Sequence, residues 1–150
     1  MRFHGIRIAA GLLVTTLIVG CATTNFGFPI ERGDVDEGQQ AFVDHQCHQC
    51  HTVAGVRLPP LAGASPPILE LGGDPLASRS FAGLVTSIIN PNHIISERYR
   101  EQLRLNAQVP LNSPMPMPHL DTMTVRQLVD IVTFLDARYS LAVAGYDSGF

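Results

Sequence analysis

The chain has no lysine and no tryptophan, only three tyrosines and three cysteines, and charged residues fill just 15% of its 150 positions. Without Lys, every cationic contact must come from Arg, and no basic run exists to attract phosphate or anionic lipid. With a formal charge of −3, the composition excludes a nucleic-acid-binding role. The lack of Trp leaves a core short of large side chains, so a bound cofactor would supply apolar bulk. There is no long apolar run either. The stretch Ile8 to Gly20 covers thirteen residues, against roughly twenty for a membrane-spanning helix.

What the chain does have begins with that stretch. Arg2 and Arg7 precede it, which is the layout of an export signal over residues 1–20. It ends in Leu17-Ile18-Val19-Gly20-Cys21, which resembles a bacterial lipobox, in which the Cys is lipidated and becomes the new N-terminus. Cys21 would then be a lipid anchor and residues 21–33 a tether on a membrane surface. Alternatively, Cys21 is incidental, in an uncleaved anchor or beside an ordinary cleavage site; either way the domain is exported. Loss of Arg2 and Arg7 takes the charge from −3 to −5. What remains suits one domain over residues 34–140 and a C-terminal tail over 141–150. Eleven Pro and thirteen Gly, many between residues 55 and 118, predict long loops there.

With Cys21 set aside, the two other cysteines form Cys47-His48-Gln49-Cys50-His51. Two thiols three positions apart can add to the two vinyl groups of one haem, and the next residue then lies beneath the iron as an axial ligand. A disulfide across this spacing would be strained. A zinc site would need a further Cys or His pair at finger spacing, which is missing. A thioredoxin-like redox pair expects a preceding strand and a βαβ frame, for which there is no signal. His45 and His48 are expected to be solvated.

Three helices are predicted. Asp34-Val35-Asp36-Glu37 starts the first, with Gly38 and Phe42 on one face. Ser80 caps a second, buried through Phe81, Leu84, Val85, Ile88 and Ile89 and stopped by Asn90-Pro91. Thr124-Val125-Arg126-Gln127 is a capping box for the third, whose stripe runs through Leu128, Ile131, Val132, Phe134, Leu135 and Tyr139. No run alternates convincingly as a strand.

Gly38, Phe42, the Cys-x-x-Cys-His motif and the Met-Pro pairs of Ser113-Pro114-Met115-Pro116-Met117-Pro118 together resemble the class I c-type cytochromes, over about residues 33 to 140. The resemblance implies an all-α fold, three main helices and long loops wrapped around one covalent haem c. It implies that Gly38 lets the last helix cross the first closely. It places a thioether ligand in the Met-Pro loop: Met117, whose sequel Pro118-His119-Leu120 is more like the family pattern, with Met115 as the alternative. It also implies a second-shell Pro whose carbonyl accepts from His51, matched by Pro59 or by Pro66, though the usual preceding Gly is absent at both. A Met sulfur would favour the reduced iron. The implied role is electron transfer between redox proteins, on the periplasmic side of a membrane, with no catalysis in this chain. Other readings are a cytochrome subunit of a larger dehydrogenase or oxidase, and a haem-based small-ligand enzyme or sensor.

Overall fold

A computed structural model of the chain describes residues 30–60, 69–73, 80–116 and 119–147. The export signal, Cys21, the first part of the tether, Pro66 and Met117 therefore lie outside the described residues. Helix α1 spans Val35–Asp44, and the Asp34 carboxylate accepts hydrogen bonds from the backbone N–H groups of Asp36 and Glu37 at 2.8 and 3.0 Å. This is the expected cap, reinforced by acidic residues facing the positive end of the helix dipole. The helix ends where Gln46 turns left-handed at φ 58°, a conformation that costs a residue with a Cβ. The chain then makes a single 3₁₀ turn over Cys47–Gln49 and enters strand β1, His51–Val53.

Strand β2, Leu69–Leu71, pairs with β1 in parallel, with His51 opposite Leu69 and Val53 opposite Leu71. Helix α2 covers Phe81–Ile89, capped by Ser80, whose hydroxyl accepts from the Gly83 N–H at 3.1 Å. It stops at Asn90, as the following Pro91 requires. Helix α3 spans Glu97–Gln102, α4 His119–Thr122 and α5 Val125–Asp147. The capping box of α5 is formed in both directions: Gln127 N–H donates to Thr124 Oγ1 at 3.2 Å, and Thr124 N–H to Gln127 Oε1 at 2.9 Å. About half of the described chain is helical. The three expected helices are joined by two short ones and a small sheet, and α5 runs to Asp147 without a break at residue 140.

The core forms where α1 crosses α5. Phe42, Ile131, Val132 and Phe134 are the most deeply buried large side chains, each contributing on the order of 1.5–3 kcal/mol by leaving water. The Phe42 and Phe134 rings meet edge to face, centroids 5.8 Å apart at 64°, as the aromatic quadrupole prefers. Gly38 is the contact point: a Cβ there would fall on the Asp130 carbonyl group and lie 2.8 Å from the Phe134 Cβ. Leu84 carries α2 into the same core.

Residues 32–34 are fastened along α5. Arg32 pairs with Asp136, Gly33 N–H donates to Thr133 Oγ1 at 2.8 Å, and Asp34 N–H donates to Asp130 Oδ1 at 2.8 Å. Asp130 is buried, and its second oxygen accepts from Arg126 Nε at 3.1 Å. A buried carboxylate needs such partners. They account for a charged side chain within an otherwise apolar stripe.

Candidate functional site

The left-handed Gln46 sends the chain from the end of α1 into the Cys47–Gln49 turn, closed by Cys50 N–H donating to Cys47 O at 3.2 Å. The strand pair then takes over. Leu69 N–H donates to Cys50 O at 3.0 Å and Ala54 N–H to Leu71 O at 2.9 Å, so the backbone on both sides of His51 is held to β2. Cys47, Cys50 and His51 all face one cavity of about 240 Å³. Phe42 of α1, Leu71 of β2, Leu84 and Ile88 of α2, and Ile131 and Leu135 of α5 form its apolar walls. Met115 and Pro116 of the Met-Pro loop close it, and Met123 lies against it just before α5.

The cavity thus gathers two thiols, an imidazole and a thioether that are 64 to 68 positions apart in the chain between the motif and Met115. Of the two expected thioether positions, Met115 lines the cavity and Met117 is outside the described residues. Pro59 is exposed and is not part of the cavity lining. His51 Nδ1 is buried and makes no hydrogen bond, so the Pro59 carbonyl does not accept from it here. Strand pairing sets Leu69 opposite His51. Arg57 is exposed too. His45 and His48 are half-buried, where solvation was expected.

Two titrating groups report on the chemistry. Burial holds the His51 imidazole below its ordinary proton affinity, opposed in part by the Leu69 backbone. A neutral imidazole is the form that ligates metals. Burial pushes the Cys47 thiol up to about 11, lowered somewhat by a backbone hydrogen bond and raised further by the neighbouring Cys50. Such a thiol is a poor disulfide-exchange nucleophile near neutrality, and Cys47 and Cys50 are not bonded to each other. Among the described residues, no three His, Cys, Asp or Glu side chains converge on a metal-sized site.

A planar, largely apolar group with an iron at its centre suits this donor set: thiols to bond its edge, an imidazole held toward its neutral form by burial, a thioether, and apolar walls. The residues present therefore fit a haem. Tyr139 and Met123 of the region around α5 also line the cavity, and Gln46, which lines it too, carries no sequence signal for its left-handed turn. Among the described residues no helix is long and apolar enough to cross a membrane. Comparisons with protein-family models, with curated proteins and with solved structures find no match to this chain.

Proposed function

We propose that this chain is a monohaem c-type cytochrome that passes electrons between redox proteins and catalyses no reaction of its own. The observation that carries the reading is the convergence of Cys47, Cys50, His51 and Met115 on one apolar cavity. Cys47 and Cys50 would hold the haem through thioether bonds, His51 would ligate its iron, and a thioether from the Met-Pro loop would supply the sixth ligand. When bound, the haem supplies a one-electron couple between ferric and ferrous iron.

The chain's own residues shape that couple. Phe42, Leu84, Ile131 and Leu135 exclude water from around the site, and a low local dielectric disfavours the more highly charged ferric state. A soft sulfur donor pushes in the same direction. Pro114 and Pro116 flank Met115 and restrict its backbone, which suits a weak ligand that must be held in place. With His51 and a thioether of the Met-Pro loop both holding it, the haem would offer no position for substrate, which favours a relay over an enzyme.

Met115 is the Met-Pro thioether that lines the cavity among the described residues, and it is tested first. Met115→Ala is expected to abolish the weak sulfur-to-iron charge-transfer absorption of the oxidised protein and to lower its reduction potential. If Met117→Ala does this and Met115→Ala does not, Met117 is the ligand. A high-spin, five-coordinate spectrum of the unaltered protein would sink the relay reading and favour a small-ligand enzyme or sensor.

The lipobox-like stretch ending at Cys21 supports a lipoprotein on the periplasmic side of a membrane. Acyl chains contribute about 0.8 kcal/mol per buried CH₂, and two or more give stable attachment. Cys21→Ser is expected to move the protein from the membrane pellet to the soluble periplasmic fraction, and continued sedimentation with membranes would remove the anchor from the proposal.

A further inference from the structure

The loop that presents Met115 is not held by its own sequence alone. Upstream, Arg100 Nη1 donates to Val109 O at 2.8 Å and to Asn106 O at 3.4 Å, fastening the approach to the loop onto α3. Nearer the sulfur, Asn92 Oδ1 accepts from Ser113 N–H at 2.8 Å, across 21 positions of chain. Ser113 Oγ in turn accepts from Met115 N–H at 3.2 Å. Pro114 lies between the last two, with its φ fixed by the ring. The backbone from Ser113 to Met115 therefore has little freedom once Ser113 is held.

Asn92 owes its position to the end of α2. Asn90 and the buried Pro91 stop that helix, and Asn92 follows at the surface. The same helix supplies Leu84, Ser87 and Ile88 to the cavity. One side-chain amide thus ties a wall of the cavity to the loop that closes it. Asn92 is itself exposed, and its side-chain oxygen holds the Ser113 N–H.

We infer that Asn92 is a positioning residue for the axial thioether, acting through Ser113 to keep Met115 turned into the cavity against displacement by outside ligands. The inference rests on the reading of Met115 as the sixth ligand. An outside ligand would reach a haem held here only when the loop yields. Removing the brace shifts that balance toward the open loop, by the few-fold to ten-fold that a side-chain-to-backbone hydrogen bond typically supports.

The test is an imidazole titration of the oxidised, haem-loaded protein, followed by absorption. Asn92→Ala is expected to bind imidazole about five- to ten-fold more tightly than the unaltered protein. Asn92→Asp keeps an acceptor oxygen and is expected to bind it as the unaltered protein does. Equal affinity in Asn92→Ala and the unaltered protein overturns the inference, as does an Asp variant that behaves like Ala. Loss of thermal stability without a change in imidazole affinity counts the same way. The starting spectrum separates the two levels of argument. If the unaltered protein lacks the sulfur-to-iron band, thioether ligation fails and takes the brace with it; if the band is present and the affinities are equal, only the brace fails.

Discussion

A chain carrying Cys47→Ser together with Cys50→Ser is expected to retain no haem through denaturing electrophoresis and to lose most of its resistance to urea and heat. The first effect follows from the proposed attachment chemistry, since a hydroxyl does not replace a thiol in bonding to the haem edge. The second follows from packing. The walls of the cavity are apolar side chains of α1, α2 and α5, and with nothing between them they face water instead of burying their surface. Net stabilities of single domains are only about 5–15 kcal/mol, so losing that burial weakens the fold. Haem staining of a denaturing gel checks attachment, and urea unfolding followed by far-UV circular dichroism checks the fold. Unchanged haem staining in the double variant would overturn the covalent assignment.

Gly38→Ala is the second large effect, and its sign is the informative part. By helix propensity alone the change would stabilise α1 by about 0.8–1 kcal/mol. At this crossing, however, the new Cβ meets the backbone carbonyl of Asp130 and the Cβ of Phe134, and neither belongs to the movable end of a flexible side chain. The two helices must separate, loosening the Phe42–Phe134 contact. Overpacking of this kind costs about 1–3 kcal/mol or more, which outweighs the propensity gain. Gly38→Val is expected to be worse, since it adds both bulk and branching. The midpoint of urea unfolding of the haem-loaded protein is the measurement. An Ala variant more stable than the unaltered protein would mean that α1 and α5 do not approach at Gly38.

The elements most legible in the sequence were those with local signals. Asp34, Ser80 and Thr124 are caps whose bonding partners lie two or three residues away, and each cap forms as read. The stripe from Leu128 to Tyr139 repeats often enough to establish α5. The strand pair was illegible because three residues are too few to display alternation, and its partners, His51–Val53 and Leu69–Leu71, come together only through pairing across the intervening loop. Helix α3, Glu-Arg-Tyr-Arg-Glu-Gln, has no apolar period, and only the Ser96 cap, accepting from Tyr99 N–H at 3.2 Å, hints at it.

The site divides in the same way. Cys47, Cys50 and His51 are adjacent, and their chemistry sets the spacing. Met115 and Met117 are each followed by Pro, and the sequel of Met117 is the more like the family pattern; Met115 lines the cavity, and Met117 lies outside the described residues. The expectation for Pro59 came from a turn pattern, and the β1–β2 pairing places a different backbone beside His51. The brace at Asn92 depends on a contact between two loops, which leaves no periodic trace in either.

The fastening of residues 32–34 onto α5 has a mechanical consequence. Arg32, Gly33 and Asp34 engage Asp136, Thr133 and Asp130 in turn, at steps of about one helical turn. A pull arriving along the chain from the N-terminal side loads Arg32 first and passes into α5, the longest helix of the domain, before it reaches α1. The turn that holds Cys47 and Cys50 lies beyond α1. Such a pull is thus taken up in shear along α5, and the thiol and imidazole atoms of the motif keep their spacing.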